Sequence, residues 1–130
     1  MTTQLLPFTL RIATSEQDIQ KAVQIRHDAY YRHLPGLASR LQEAEAVDYS
    51  SDTVILLAES RLDGEALGTM RIHTNHVRPL PLESSVELPS RFKGEVLAEA
   101  VRLGIVQERI GAVVKNALFK AFYAYCRGAG

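Results

Sequence analysis

Near the end of the sequence lies a segment with one broad apolar face. Between residues 110 and 127, apolar side chains recur every three or four positions, which is the spacing of an amphipathic helix. The residues of this face are Val113, Val114, Ala117, Leu118, Ala121, Phe122 and Tyr125. Residues 95–106, rich in Ala, Val, Leu and Ile, precede the helix and are typical of a strand. Because such a helix must pack its apolar face on another element, the pair predicts a layered domain containing a sheet.

Three more segments have the character of strands. Residues 7–13 alternate apolar and polar side chains, residues 53–59 are almost continuously apolar, and residues 66–73 alternate again. The Asp63-Gly64 pair between the last two is a usual hairpin signal. We therefore expect the second and third of these strands to be joined as a hairpin.

A helix is predicted between the first strand and the others. Thr14 or Ser15 is expected to cap it, and it continues to about Tyr31, before Pro35 and Gly36 break it. The remaining segments are predicted as an irregular helical stretch at residues 37–47, a turn at residues 48–52 and a long loop at residues 75–93, with a fragment of strand around residues 86–88.

This order of elements is typical of a single α/β or α+β domain over residues 1–130. Fifteen lysine and arginine residues balance fifteen aspartate and glutamate residues, so no net charge attracts the chain to nucleic acid or an anionic membrane. Cys126 is the single cysteine, which excludes an internal disulfide. No signal-peptide pattern and no apolar run of the ~18–20 residues that span a bilayer is present. These features predict a cytoplasmic protein without a transmembrane segment.

Four short motifs lie in order on the predicted elements. They are Arg26-His27-Asp28-Ala29-Tyr30, Asp48-Tyr49-Ser50-Ser51-Asp52, Leu67-Gly68-Thr69-Met70-Arg71 and Glu99-Ala100-Val101-Arg102. Together they resemble the GNAT-superfamily N-acyltransferases, in the branch that holds the autoinducer synthases and the long-chain N-acyl amino acid synthases. The absence of tryptophan fits the N-acyl amino acid synthases better.

The resemblance implies a fold and an activity. The fold would be a GNAT-like mixed, mostly antiparallel central sheet flanked by helices, with the family's C-terminal strands missing. The activity would move a long-chain acyl group from acyl carrier protein or acyl-coenzyme A to the amine of an amino acid or related small molecule, without a permanently bound cofactor or metal. The alternatives are an acetyl-coenzyme A-dependent acetyltransferase, a non-catalytic acyl-binding module, and an interaction protein that forms homo-oligomers through its open sheet edge.

The resemblance also implies two catalytic residues, Glu99 and Arg102. Glu99 would accept the amine proton, and Arg102 would hold the acceptor's carboxylate or position Glu99. Residues three apart on a regular strand point to opposite faces, so these two share a site only if a β-bulge lies between them, as the family implies. The alternative for Glu99 is a structural ion pair with Arg102 or Arg71.

The predicted acceptor site comprises Arg26, Tyr30, Asp48, Asp52 and Arg71. Arg26 lies on the apolar stripe of its helix, where a charge needs a partner. It either extends to solvent at the rim of the core or forms a wall of the site with Asp48 or Asp52. The two aspartates are equally compatible with ordinary turn chemistry.

The other predictions concern the neighbours of Arg71 and the remaining reactive side chains. Met70 and Ile72 lie on the opposite strand face and are predicted core, so Arg71 is expected to face a cleft or solvent. His73 and the other histidines are interpreted as surface or structural, and Cys126 as packing.

The donor site is expected where the last predicted strand meets the last helix. GNAT proteins bind pyrophosphate there with backbone N–H groups at a helix N-terminus. The matching residues are Ile105, Val106, Gln107, Arg109, Gly111 and Ala112. Only one glycine is present and the spacing departs from the family's pattern. This turn would therefore bind the single phosphate of an acyl carrier protein more readily than coenzyme A. The alternative is a plain connection between strand and helix.

Overall fold

A four-stranded antiparallel sheet forms the centre of the protein. The computed structural model describes residues 6–92 and 94–129. In these residues the strands lie in chain order across the sheet, so β1 and β4 are its edges. The strands are β1 (Phe8–Ile12), β2 (Val54–Ser60), β3 (Ala66–Thr74) and β4 (Ala98–Ile105).

One long helix covers each face of the sheet. On one face, helix α1 (Glu16–Tyr31) packs Ala22 against Ile55 and Leu57 of β2. Its first turn is capped by the Ser15 hydroxyl, which accepts a hydrogen bond from the Asp18 N–H at 3.1 Å. We call this the α1 face.

The other face carries the larger apolar core. Helix α3 (Ile110–Ala129) places Val114 and Leu118, both fully buried, against Met70 and Ile72 of β3. The three-and-four spacing of the sequence therefore marks the face of α3 that packs on the sheet. We call this the α3 face.

The hairpin between β2 and β3 is formed where Asp63 and Gly64 predicted it. Gly64 has a φ of 75°, a left-handed conformation that glycine adopts without steric cost. The predicted antiparallel pairing of these two strands is thus confirmed.

Two of the connections agree with the sequence predictions and one does not. The irregular helical stretch predicted at residues 37–47 consists of the end of the short helix α2 (Pro35–Ala38), a 3-10 turn (Ser39–Leu41) and the start of a 3-10 helix (Ala46–Tyr49), which leads into the turn predicted at 48–52. The strand fragment around residues 86–88 is wrong. Its neighbourhood holds the 3-10 turns Pro81–Ser84 and Ser90–Phe92, where prolines lack the N–H that a ladder needs. Lys93, in the predicted loop, lies outside the described residues.

Strand β4 also begins later than predicted, at Ala98 rather than residue 95. The side chain of Asn75 replaces the ladder there, because it donates to the Glu95 carbonyl at 2.9 Å and accepts from the Leu97 N–H at 2.8 Å. The backbone N–H of Asn75 donates to the Leu97 carbonyl at 3.1 Å. The side chain of Asn75 therefore provides hydrogen-bond partners for the Glu95 carbonyl and the Leu97 N–H where no regular strand does so.

A β-bulge interrupts the pairing of β3 with β4. Thr69 lies opposite Gly104 but Arg71 lies opposite Val101, so two residues of β4 face one of β3. Arg102, within the bulge, has a φ of 53° and is the non-glycine residue with positive φ among the described residues. The bulge that the family resemblance implied is confirmed.

No helix in the described part of the chain combines the length and apolar character needed to cross a bilayer.

Candidate functional site

A cluster of three arginines and two carboxylates lies on the α1 face. Each element contributes one or two members. Arg26 comes from α1, Arg71 from β3, Arg102 from the bulge of β4, and Glu45 and Asp48 from the start of the 3-10 helix Ala46–Tyr49. We call these five residues the charged cluster.

Asp48 is the buried centre of the charged cluster. Its carboxylate accepts two hydrogen bonds from Arg26, at 3.0 and 3.2 Å, and one from Arg71 at 3.0 Å. The backbone N–H of Glu45 adds a fourth at 2.8 Å. Burial raises the pKa of Asp48, but the hydrogen bonds and charges of the two arginines outweigh it, so the pKa lies below its usual range. Asp48 is therefore ionised at neutral pH.

Arg26 points into the core, as its place on the apolar stripe predicted, and it pairs with Asp48. Only 1% of its side chain is exposed, so it does not extend to solvent at the rim of the core. Helix α1 lies very close to β4 here, because a Cβ added to Gly104 would stand 2.8 Å from the Cα of Arg26. The substrate-binding role of Arg26 stays a prediction.

Glu45 joins the other two arginines and was missed by the sequence analysis. Arg102 donates to it from Nε at 2.8 Å and from Nη2 at 3.2 Å, and Arg71 donates from Nη1 at 2.9 Å. The hydrogen bond from Arg102, together with Arg71, lowers the pKa of Glu45 to about 2 despite partial burial. Its spacing of three from Asp48 resembles a capping box, a signal that was available in the sequence.

Arg71 is buried, with 4% exposure, which corrects the expectation that it faces a cleft or solvent. Its charge is tolerated inside the protein because Asp48, Glu45 and His73 all accept hydrogen bonds from it. Nε of Arg71 donates to Nε2 of His73 at 2.8 Å. Burial, and then the charge of Arg71, lower the pKa of His73, so this imidazole is neutral.

The bulge brings Arg102 to the face that carries Glu99. Glu99 pairs in register with His73, and its Oε1 accepts the Leu82 N–H at 2.9 Å. Among the described residues Glu99 has no ion pair with Arg102 or Arg71, which bind Glu45 and Asp48 instead. The structural ion pair considered for Glu99 is thus not formed.

Tyr30 and Asp52, the other two residues of the predicted acceptor site, are not members of the charged cluster. Tyr30 is close enough to Arg102 to help raise the pKa of that guanidinium, although the hydrogen bond to Glu45 is the main cause. Asp52 lies outside the charged cluster, where it accepts from the Ser50 hydroxyl and pairs with Arg78 at 3.2 Å. Of the two aspartates proposed as partners for Arg26, only Asp48 is one.

The predicted donor residues lie together at the junction of β4 and α3. The Val106 N–H donates to the Leu67 carbonyl at 3.0 Å, and the Ile105 carbonyl accepts from Arg32 at 2.6 Å. A Cβ on Gly111 would overlap the Val106 carbonyl oxygen, so this turn requires glycine. The remaining members, Gln107, Arg109 and Ala112, are exposed. Donor binding by this segment stays a prediction.

A cavity of about 290 Å³ lies on the α3 face and was not foreseen from the sequence. Its walls include Ala98 of β4 and Phe122, Tyr125 and Cys126 of α3. Burial raises the pKa of the Cys126 thiol, which keeps it protonated and agrees with a packing role. The cavity and the charged cluster thus lie against the same strand on opposite faces of the sheet.

The sheet order, the bulge in β4 and the helix on each face define a GNAT-like α+β fold, the class that the motifs implied. A solved structure similar to this chain is that of FeeM, an N-acyl amino acid synthase from uncultured soil microbes. The match has a TM-score of 0.69 at 19% sequence identity and covers 94% of this chain and 66% of that one, slightly less than two thirds. Neither the protein-family models nor the curated proteins give a significant match to the sequence.

Proposed function

We propose that the protein is an N-acyltransferase that moves an acyl group from a thioester to the amine of an amino acid or a related small molecule. The observation that carries the proposal is the bulge in β4, which brings Arg102 of the charged cluster to the face that carries Glu99. The likeness in fold to an N-acyl amino acid synthase supports the same activity.

The acceptor's carboxylate would bind at Arg102. A guanidinium grips a carboxylate through two parallel hydrogen bonds, and Arg102 makes this kind of contact with Glu45, at 2.8 and 3.2 Å. About a quarter of the Arg102 side chain is exposed (26%), whereas Arg26 and Arg71 are enclosed. Arg102 is therefore the arginine of the cluster that a ligand can reach.

Glu99 would serve as the proton acceptor. Its carboxylate takes a proton from the acceptor's ammonium group, directly or through a water molecule, and the neutral amine attacks the thioester carbonyl. The C–N bond forms, the C–S bond breaks, and the nitrogen loses a second proton to give the neutral amide. One of the two protons leaves with the sulfur as a thiol, and the other passes to solvent. Holding both reactants in place can contribute about 7–11 kcal/mol toward lowering the barrier.

The acyl chain would occupy the cavity on the α3 face. Its aromatic lining and volume of about 290 Å³ suit an alkyl chain, and its contact with β4 puts it beside the edge where the thioester would lie. The turn at Gly111 would meet the phosphate of acyl carrier protein or coenzyme A. Since both donors are cytoplasmic, we expect the protein there.

The proposal is tested by incubating the purified protein with decanoyl thioesters of coenzyme A and of acyl carrier protein and a mixture of amino acids. N-acyl amino acids are detected by mass spectrometry. Glu99→Gln should lower turnover at least about tenfold, as expected for loss of a general base. Glu95→Gln, which removes an exposed carboxylate shortly before β4, is the matched control.

Normal turnover in Glu99→Gln would exclude Glu99 as the base. Absence of any acylated product from the unchanged protein with both donors would contradict the proposed activity.

A further inference from the structure

Glu45 binds Arg102 in the way that a substrate carboxylate would. Both of its carboxylate oxygens accept from Arg102, and Oε1 also accepts from Arg71 at 2.9 Å. An amino acid approaching Arg102 thus meets a guanidinium whose Nε and Nη2 donors are already occupied by a carboxylate of the protein.

We propose that Glu45 occupies the position of the acceptor's carboxylate and that the acceptor binds by displacing it. The inference rests on the proposed function for the identity of the incoming molecule. The exchange itself is a property of three residues, Glu45, Arg71 and Arg102, and can be measured without any acyl transfer.

The surroundings of Glu45 make its carboxylate easier to displace than the carboxylate of Asp48. Its side chain is 29% exposed, whereas that of Asp48 is fully enclosed. The backbone N–H of Glu45 remains bonded to Asp48 at 2.8 Å, which anchors the segment. Rotation about the side-chain bonds of Glu45 can therefore free Arg102 while the backbone stays in place.

The charge balance of the cluster explains why the exchange would discriminate between acceptors. Three guanidinium groups face two carboxylates, and departure of Glu45 would leave the partly buried guanidinium of Arg102 without a partner, which is costly. An incoming carboxylate restores the contact that Glu45 gives up. A simple amine or a carboxamide does not, so Glu45 selects for acceptors that carry a carboxylate.

The exchange is tested by titrating acetate, a carboxylate probe without a side chain, into isotopically labelled protein while the Arg102 Nε–H resonance is followed by NMR. Glu45→Gln should bind acetate about tenfold more tightly than the unchanged protein, because a charged competitor has been removed. Acetamide should show no such gain. Glu43→Gln, which removes an exposed negative charge from the same segment, should behave like the unchanged protein.

A second measurement needs no variant. In the unchanged protein, acetate should shift the carboxyl ¹³C resonance of Glu45 as this side chain leaves Arg102.

Equal acetate affinity in Glu45→Gln and the unchanged protein, or an equal gain in Glu43→Gln, would overturn the inference. A Glu45 resonance that does not respond to bound acetate would overturn it as well. Exchange without acylated products would instead contradict the proposed function and leave the exchange standing.

Discussion

Arg26 shows how one residue can join the core to the charged cluster. Its side chain is buried among apolar neighbours of α1, and both of its terminal nitrogens bind Asp48. Because no surface of Arg26 is open to a ligand, its effect on the site is exerted through Asp48, which it holds ionised and in place for Arg71. In the proposed site, Arg26 would therefore act through Asp48, as a positioning residue.

Replacement of Arg26 by methionine should lower the free energy of unfolding by about 3–5 kcal/mol, the usual cost of leaving a buried charge with too few partners. Urea denaturation followed by circular dichroism measures the loss. Arg40→Met, at an exposed position nearby in the chain, is the control and should change stability by about 0.5 kcal/mol or less. A loss for Arg26→Met no larger than that of the control would mean that Arg71 alone suffices for Asp48.

Strand β4 and helix α1 meet at a distance that only glycine permits. A Cβ on Gly104 would lie 2.8 Å from the Cα of Arg26 and 3.1 Å from the carbonyl oxygen of Ile25, so the backbone of the helix would have to move. Gly104 follows the bulge that turns Arg102 toward Glu45. The close contact therefore fixes the height of α1 above the part of the sheet that forms the site.

Gly104→Ala should lower the free energy of unfolding by about 1–3 kcal/mol, as overpacking does in a filled core. Gly36→Ala is the matched control, since a Cβ at Gly36 meets nothing within 4 Å and its helical position favours alanine. Chemical denaturation of the two variants gives the comparison. Equal stability of both would show that α1 adjusts freely over β4.

At the scale of the whole molecule, stability depends on pH, because the fold lowers the pKa of several titratable groups and so favours their deprotonated forms. Burial, and then the charge of Arg71 with that of Arg78, lower the pKa of His73 below its ordinary value, while the charges of Glu99 and Asp52 oppose the shift. The unfolded chain binds a proton near pH 6.5 more readily than the folded one, so the contribution of His73 is full above this pH and declines below it. The carboxylates act in a lower range, where Glu45 loses its contribution between about pH 4.5 and its folded pKa of about 2.

The free energy of unfolding should therefore fall as the pH is lowered from 7 to 5, with a slope of at most about 1.4 kcal/mol per pH unit from His73. His73→Gln keeps an acceptor for Arg71 but does not titrate, so this slope should decrease. His33→Gln, at an exposed position, should retain it. Urea midpoints at pH 7, 6 and 5 test the prediction, and an unchanged slope in His73→Gln would assign the effect to other groups.

The sequence by itself determined the long helices, the main strands and their apolar faces. The spacing of apolar residues predicted α3 and its buried side, alternation predicted Met70 and Ile72 as core, and Asp63-Gly64 predicted the hairpin. Its stripe position also placed Arg26 on the apolar side of its helix, where a charge needs a partner, although not whether it is enclosed. All of these depend on neighbours within a few positions, which is the range over which periodicity and turn chemistry act.

Only the tertiary structure decided which charges meet. Arg102 and Glu45 are separated by 57 positions and Arg71 and Glu45 by 26, so the capping-box spacing of Glu45 to Asp48 shows a local turn but not which arginines Glu45 binds. The burial of Arg71 and the place of His73 likewise follow from β3 lying under α1 and beside β4. An ion pair in a protein interior is set by distance in space and by exclusion of water, and both arise only when the sheet and its helices are assembled.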